Sequence, residues 1–297
     1  MNLKALVRLC RPHQWVKNLL VILPLAAAHQ INDIPLLLRA LLACAVFCLT
    51  ASSVYAFNDA LDVESDRLHA DKRKRPVASG EVSEHQALGL AFLLAGVSVS
   101  VAAVLSYRVL LCVGGYLLLN LLYTRVLKRM VLLDVICLTG FYLIRILTGH
   151  LATDVPFSPW LTAFALFLFF SLALMKRSSE LVALAARGEL VTSGRKYRSV
   201  DLQCVNQFGA SSGTTSVLVL ALYIDRGSQK WGHYQDPWLL WLLCPLVLYW
   251  LGRAWILTAR GEMNSDPVLF ALLDRASQVT AALAICIFIF ASVGVPV

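Results

Sequence analysis

Charge is scarce in this chain: Asp, Glu, Lys and Arg make up 15% of its 297 residues, against 59% hydrophobic. That balance excludes an ordinary soluble domain, in which about a quarter of the residues are charged. Cysteine occurs eight times but never as Cys-x-x-Cys or in a His-Cys cluster, so nothing points to a thiolate metal centre. Most of these cysteines lie in or beside apolar runs and read as packing residues. Long polar stretches are missing too. The largest, 176–206, is too short for a separate soluble domain, and the chain reads as a single membrane domain over 1–297.

What is present is a series of apolar runs of about twenty residues, the length that crosses a bilayer core as a helix. Nine can be placed: 15–34, 35–57, 86–107, 109–124, 130–150, 158–175, 207–224, 238–257 and 276–297. The fold class expected is all-α, a polytopic membrane protein of about nine transmembrane helices. Residues 1–17 are polar and basic, without the apolar region and cleavage site of a signal peptide, and read as mature protein.

Five of the 26 Lys and Arg residues are Arg39, Arg108, Arg145, Arg226 and Lys230; the rest fall in 1–17, 62–84, 125–129, 176–198 and 253–275. Nine alternating helices put those five segments on one face, which the positive-inside rule makes cytoplasmic. The localisation expected is the inner (plasma) membrane, with the active site toward the cytoplasm. The net charge of +8 then reflects topology and attraction to anionic headgroups of the lipid bilayer, and no nucleic-acid partner is indicated.

The unusual polar chemistry sits in two of these loops. Tyr55-Ala-Phe-Asn-Asp-Ala-Leu-Asp-Val-Glu-Ser-Asp-Arg spaces Asn58, Asp62 and Asp66 four residues apart, so a continuous helix stacks them in one stripe. Repelling carboxylates at that spacing make sense around a divalent cation that also binds substrate phosphate, and Mg²⁺ fits best. Asp59 and Glu64 fall off the stripe, and Asp59 is expected at most to orient Asn58. Arg67, Lys72, Arg73, Lys74 and Arg75 follow at once, which brings phosphate-pairing cations beside the acids and points to a diphosphate. A solvated helix end and a lipid anchor would each explain one half; their adjacency argues for a site.

Two smaller groups point the same way: Arg11-Pro-His-Gln-Trp-Val-Lys-Asn, and Met175-Lys-Arg-Ser-Ser-Glu-Leu. Lys17 could snorkel to headgroups or hold a phosphate. Arg145 lies well inside the fifth apolar run, where a charge needs a polar cavity or an ionic partner. Asp134 precedes it by three helical turns, roughly 16 Å, and cannot supply that partner. Each must find others.

Asn58-Asp-x-x-Asp-x-Glu-x-Asp-Arg followed by Lys72-Arg-x-Arg-Pro-Val-Ala-Ser-Gly80 resembles the first aspartate-rich motif of the UbiA superfamily of intramembrane prenyltransferases, a fold that nine helices match. The nearer resemblance is to its 5-phosphoribosyl-1-diphosphate-using branch, the decaprenyl-phosphate phosphoribosyltransferases. It rests on Arg11 to Asn18, Asn58 to Gly80, Tyr142-Leu-Ile-Arg145, Lys176 to Glu180 and Asp266 to Asp274. The superfamily's second Asp-x-x-x-Asp motif is missing: the region taken as comparable, around Asp134, has no second aspartate.

That resemblance implies a UbiA-type bundle with a cytoplasmic active-site cap, 5-phosphoribosyl-1-diphosphate as donor and a polyprenyl phosphate as acceptor, in a Mg²⁺-dependent transfer feeding cell-wall glycan synthesis such as arabinogalactan. It makes Asn58, Asp62 and Asp66 the catalytic metal ligands. Arg67, Lys72, Arg73 and Arg75 fall to the donor phosphates, and Lys128, Tyr142, Arg145, Lys176, Arg177 and Glu180 to the rest of the donor. Gln14 and Lys17 would position the lipid phosphate. The other readings are prenyl transfer to an aromatic or other small acceptor, and a transporter or lipid-binding protein. Chain length of the lipid and oligomeric state, a homo-oligomer included, stay open.

Overall fold

The structure, a computed structural model, describes residues 3–68, 72–186, 188, 195–227, 234–263 and 266–293. Among them helices are the only regular elements. The chain divides into two compact units, Met1–Arg125 with Ile144–Phe157, and Val126–Leu143 with Ser158–Val297.

The first unit opens with α1 (Leu3–Leu9), a 3-10 run (Pro12–Val21) and α2 (Leu23–Ala27), followed by α3 (Ile34–Leu61), α4 (Val63–Leu68), α5 (Glu84–Leu105) and α6 (Tyr107–Arg125). α7 (Leu133–Thr153) gives its second half to this unit and its first half to the other. Local chemistry sets the helix starts. Asp33 accepts the Leu36 N–H at 3.1 Å with Pro35 in the first turn of α3, and Ser83 and Gln86 form a reciprocal capping box on α5. Each cap serves N–H groups that a helix start leaves without partners, and contributes about 1 kcal/mol. Ala5 and Leu9 of α1 are buried with Ala56 and Ala60 of α3, Val63 of α4, and Val77 and Val82 of the following loop. This packing fixes the end of α3 and the basic loop after it as one piece.

The second unit contains α8 (Pro159–Ala186), α9 (Leu202–Leu222), a 3-10 turn (Pro237–Leu242) leading into α10 (Leu243–Ala259), then α11 (Pro267–Leu273) and α12 (Arg275–Val293). Asp266 caps α11 through the Val268 and Leu269 N–H groups, at 3.1 and 3.4 Å.

Seven helices among the described residues are long and apolar enough to cross a membrane: α3, α5, α6, α7, α8, the Pro237–Ala259 segment and α12. Two of the nine expected spans take another form. The run 15–34 is divided between the 3-10 segment and α2, because Pro24 lacks the N–H a continuous α-helix needs. The run 207–224 does become helical in α9, but Gly209-Ala-Ser-Ser-Gly-Thr-Thr-Ser216 makes it too polar to stand out by hydropathy. Those small residues permit close packing: a Cβ on Gly209 would strike the Trp255 ring, and one on Gly213 would come within 3.0 Å of Ser171 Oγ. Of the last expected span, 276–297, residues 294–297 lie outside the described residues.

Candidate active site

The acidic segment does not form one unbroken stripe. α3 ends at Leu61, Asp62 takes φ −95° and ψ 10°, and α4 restarts at Val63. Two backbone bonds bridge the break, Asp62 N–H to the Asn58 carbonyl at 2.9 Å and Asp66 N–H to the Asp62 carbonyl at 2.8 Å. Asp59, on the packed face of α3 with Ala56, and Asp66, on α4, are buried at 2% and 1% exposure, while Asn58 and Asp62 are half-buried. Asn58 Oδ1 accepts from Thr124 Oγ1 at 3.4 Å. Asp59, expected only to orient Asn58, is thus one of the two innermost carboxylates.

Both buried acids are matched to cations. One nitrogen of Arg75, Nη1, donates to Asp66 Oδ2 at 2.6 Å and to Asp59 Oδ1 at 3.1 Å. Arg11 Nη2 reaches the same Asp59 oxygen at 2.6 Å while its guanidinium lies over the Tyr55 ring, and Lys72 Nζ stands 3.8 Å from Asp66 Oδ1. Buried charges require such pairing, since an isolated carboxylate removed from water costs several kcal/mol. Asp59 Oδ2 remains buried with no hydrogen-bond partner among the described residues. Of the other expected donor contacts, Arg67 bonds the Ala78 carbonyl at 3.3 Å, and Arg73 is exposed on a 3-10 turn, Lys72–Lys74. No three His, Cys, Asp or Glu side chains gather as a metal site among the described residues.

In the same unit, three residues per turn of the 3-10 run put Gln14 and Lys17 on one face and Trp15 and Asn18 on another. Trp15 Nε1 donates to Ser52 Oγ at 3.0 Å, and Asn18 Oδ1 accepts from Arg145 Nε at 2.7 Å. Arg145 also donates to the Tyr116 hydroxyl at 3.0 Å and lies against the Phe47 and Tyr116 rings. At 4% exposure it braces the 3-10 run against α6. These partners answer the question its position in an apolar run raised.

Lys128, Tyr142, Lys176, Arg177 and Glu180 belong to the other unit. Lys128 lies half-buried on a 3-10 turn, Leu127–Arg129, and Tyr142 stacks on Phe169 with ring centroids 4.4 Å apart. Arg177, 1% exposed, sits with Nε 2.8 Å from Asp134 Oδ2 and Nη1 2.5 Å from Glu180 Oε2. Arg195 reaches the same Glu180 oxygen at 3.1 Å. Tyr197, also buried, donates to Asp134 Oδ1 at 2.8 Å and accepts the Leu132 N–H at 3.0 Å. Burial above all, helped by the Asp134 carboxylate, pushes the Tyr197 phenol well above its usual range. Arg195 and Tyr197 were missed because they lie outside every motif, and long-range pairing leaves no local spacing to read. Further along, Asp274 takes both Arg253 terminal nitrogens at 2.7 and 3.0 Å and two donors from Ser277. Burial works to raise its carboxyl, but these hydrogen bonds prevail and hold it below the usual carboxylate range.

Residues 19–277 match the UbiA prenyltransferase family. The chain belongs to that family. Among UbiA relatives, it is 33% identical over 282 residues to the decaprenyl-phosphate phosphoribosyltransferase of Mycolicibacterium smegmatis, covering 93% of this chain and 88% of that one. It is 32% identical over 275 residues to the nodulation protein NoeC of Azorhizobium caulinodans, covering 91% and 87%. To the protein y4nM of Sinorhizobium fredii it is 33% identical over 283 residues, 95% of this chain, and there it spans only 54% of the relative's length. The fold matches that of a UbiA homolog from Archaeoglobus fulgidus bound to GPP and Mg²⁺, with a TM-score of 0.68 at 17% identity over 95% of this chain and 99% of that one.

Proposed function

We propose that this UbiA-family transferase, acting as one membrane domain, moves the 5-phosphoribosyl group of 5-phosphoribosyl-1-diphosphate onto a polyprenyl phosphate. The observation that carries this reading is the commitment of Asp134. Its carboxylate lies between Arg177 and Tyr197, so the region taken as comparable to a second acidic motif has a structural task, and one acidic segment is left to hold one diphosphate. The named phosphoribosyltransferase relative, a third identical along nearly the full chain, supports the same choice.

The segment fits Mg²⁺ on two grounds. Its donors are hard oxygens, which this ion takes. Arg75 Nη1 also marks a point where Asp59 and Asp66 converge on a single positive charge, with a further Asp59 oxygen unpartnered beside it. Asn58, Asp62 and Asp66 would hold the ion, with Asp59 as the neighbour the sequence undervalued; bound there, it supplies charge neutralisation of the leaving diphosphate.

Arg67, Lys72, Arg73 and Arg75 bind the donor phosphates as charge gathers on them, and Lys128, Tyr142, Lys176 and Glu180 serve its ribose and 5-phosphate. Arg145 and Arg177 act by bracing. Gln14 and Lys17 orient the lipid phosphate. The bond between the anomeric carbon and the diphosphate oxygen breaks, a lipid phosphate oxygen forms the new bond to that carbon, and diphosphate leaves. A phosphate monoester is largely ionised near neutral pH, so positioning and electrostatics suffice and no general base is assigned. The basic loops support a multi-pass membrane location with this chemistry on the cytoplasmic face.

The test is a single assay: purified protein, Mg²⁺, labelled 5-phosphoribosyl-1-diphosphate and polyprenyl phosphate, read as label extracted into organic solvent. Label dependent on both substrates is expected. Absence of label, or prenyl transfer from a prenyl diphosphate to an aromatic acceptor instead, overturns the reading.

A further inference from the structure

Arg11 takes no part in the donor and acceptor contacts proposed above, yet it bonds one of the two buried acids. Its Nη2 lies 2.6 Å from Asp59 Oδ1, the oxygen that Arg75 Nη1 also reaches at 3.1 Å. Asp66 is covered in the same way, by Arg75 at 2.6 Å from Oδ2 and by Lys72 at 3.8 Å from Oδ1. Three of the four carboxylate oxygens therefore face side-chain cations. The fourth, Asp59 Oδ2, is buried with no hydrogen-bond partner among the described residues.

Two carboxylates that already face three cations gain nothing from a further positive charge unless one of the three moves. Like charges a few ångströms apart in a poorly hydrated site repel strongly, and Mg²⁺ draws its oxygens in to about 2.1 Å in a near-octahedral shell. A guanidinium hydrogen and the metal cannot share one lone pair. The arginines are placed to turn away. Their side chains are 24% and 28% exposed, whereas Asp59 and Asp66 are each 2% exposed. Arg11 also sits at φ 51° and ψ 60°, a left-handed conformation that a residue with a Cβ keeps only where contacts hold it, here the Asp59 carboxylate and the Tyr55 ring, 5.0 Å away.

We propose that Arg11 and Arg75 are exchangeable counter-ions: a divalent cation takes their place on Asp59 and Asp66, and the released guanidiniums turn to the diphosphate that binds with it. The inference rests on the Mg²⁺ reading of the acidic segment given above. Its consequence is coupling. Metal alone breaks ion pairs that nothing replaces, whereas metal with diphosphate gives each arginine a new anion, so each ligand strengthens the binding of the other.

Phenylglyoxal labelling of the purified full-length protein, mapped by peptide mass spectrometry, tests the exchange without any variant. Saturating Mg²⁺ alone should raise labelling of Arg11 and Arg75 about threefold, and Mg²⁺ with inorganic diphosphate should bring it below the starting level. Protection by the pair of ligands with no rise under Mg²⁺ alone overturns the exchange. Mn²⁺ binding, followed without diphosphate by electron paramagnetic resonance, gives a second readout. Arg11→Gln should tighten it about tenfold, because a competitor is gone, whereas Lys74→Gln, which removes an exposed charge of the same loop outside these ion pairs, should leave it within about twofold. A purely structural Arg11 would leave the affinity unchanged or weaken it. Equal Mn²⁺ affinity in wild type and Arg11→Gln overturns the exchange and keeps the metal site, while no Mn²⁺ binding in either removes the metal reading and the exchange with it. Absence of phosphoribosyl transfer with the exchange intact would change the donor alone.

Discussion

Arg75 and Asp66 are joined at 2.6 Å, and the arginine nitrogen that makes this bond also reaches Asp59 at 3.1 Å. One cation thus neutralises two carboxylates that are almost wholly buried. Removing it leaves both exposed to each other's field. Arg75→Ala should lower stability by about 3 kcal/mol, the low end for a broken buried pair because the arginine is partly solvated. Thermal unfolding in detergent measures this, and adding Asp66→Asn should recover part of the loss; an unchanged midpoint in Arg75→Ala would remove the neutralising role.

Asp62→Ala and Asp66→Ala should each cut phosphoribosyl transfer by roughly 10²-fold or more, the scale seen when charge stabilisation of a leaving group is lost. Insertion and elution volume should match the wild type. Substantial transfer at saturating Mg²⁺ in either variant would refute the metal assignment.

Tyr197 offers a purely structural test. Tyr197→Phe deletes the donor to Asp134 and the acceptor of the Leu132 N–H, both in a buried setting, which should cost about 1–3 kcal/mol. The same substitution should raise the susceptibility of the loop at Arg195 to trypsin, read by mass spectrometry of the first cleavage products.

Asp274 predicts behaviour in acid. Its carboxyl is held below the usual range by Arg253 and Ser277, against the opposing effect of burial. A depressed carboxylate contributes stability that is present above its unfolded value, near pH 4, and is lost as pH falls through its folded value. The second unit should therefore lose stability below about pH 4. Arg253→Gln should weaken that dependence, visible as a smaller difference in Tm between about pH 6 and about pH 3.5.

Gly209 and Gly96 form a matched pair. An added methyl at Gly209 meets the Trp255 ring and Leu174, whereas one at Gly96 meets nothing within 4 Å. Gly209→Ala should destabilise by about 1–3 kcal/mol through overpacking, and Gly96→Ala should be neutral or gain up to about 1 kcal/mol from helix propensity. Equal effects at both sites would mean that the close approach of α9 to α10 is unimportant.

The sequence was most informative where one property repeats over many residues. Seven of its apolar runs are visible as spans because hydropathy accumulates along a helix. It was least informative where a few residues change the geometry. Pro24 divides the first run into 3-10 and α pieces, and the break at Asp62 interrupts the acidic stripe, while Asp59 sits on the packed face of α3. The Ala56, Asp59, Val63 series of buried positions was legible in principle, as an acid on the packed face. Arg195 and Tyr197 were not, since their partners Glu180 and Asp134 lie 15 and 63 residues away.

The order in which the chain is made gives the clustering of the first charges a separate meaning. Arg11, Asp59, Asp66 and Arg75 all lie within the first 75 residues, so the buried acids emerge from the ribosome together with their own counter-ions. Arg145, in contrast, waits for no later residue: Asn18 and Tyr116 are already synthesised when it appears. Arg11, Asp59, Asp66, Arg75 and Arg145 therefore meet these partners before α8 to α12 are made.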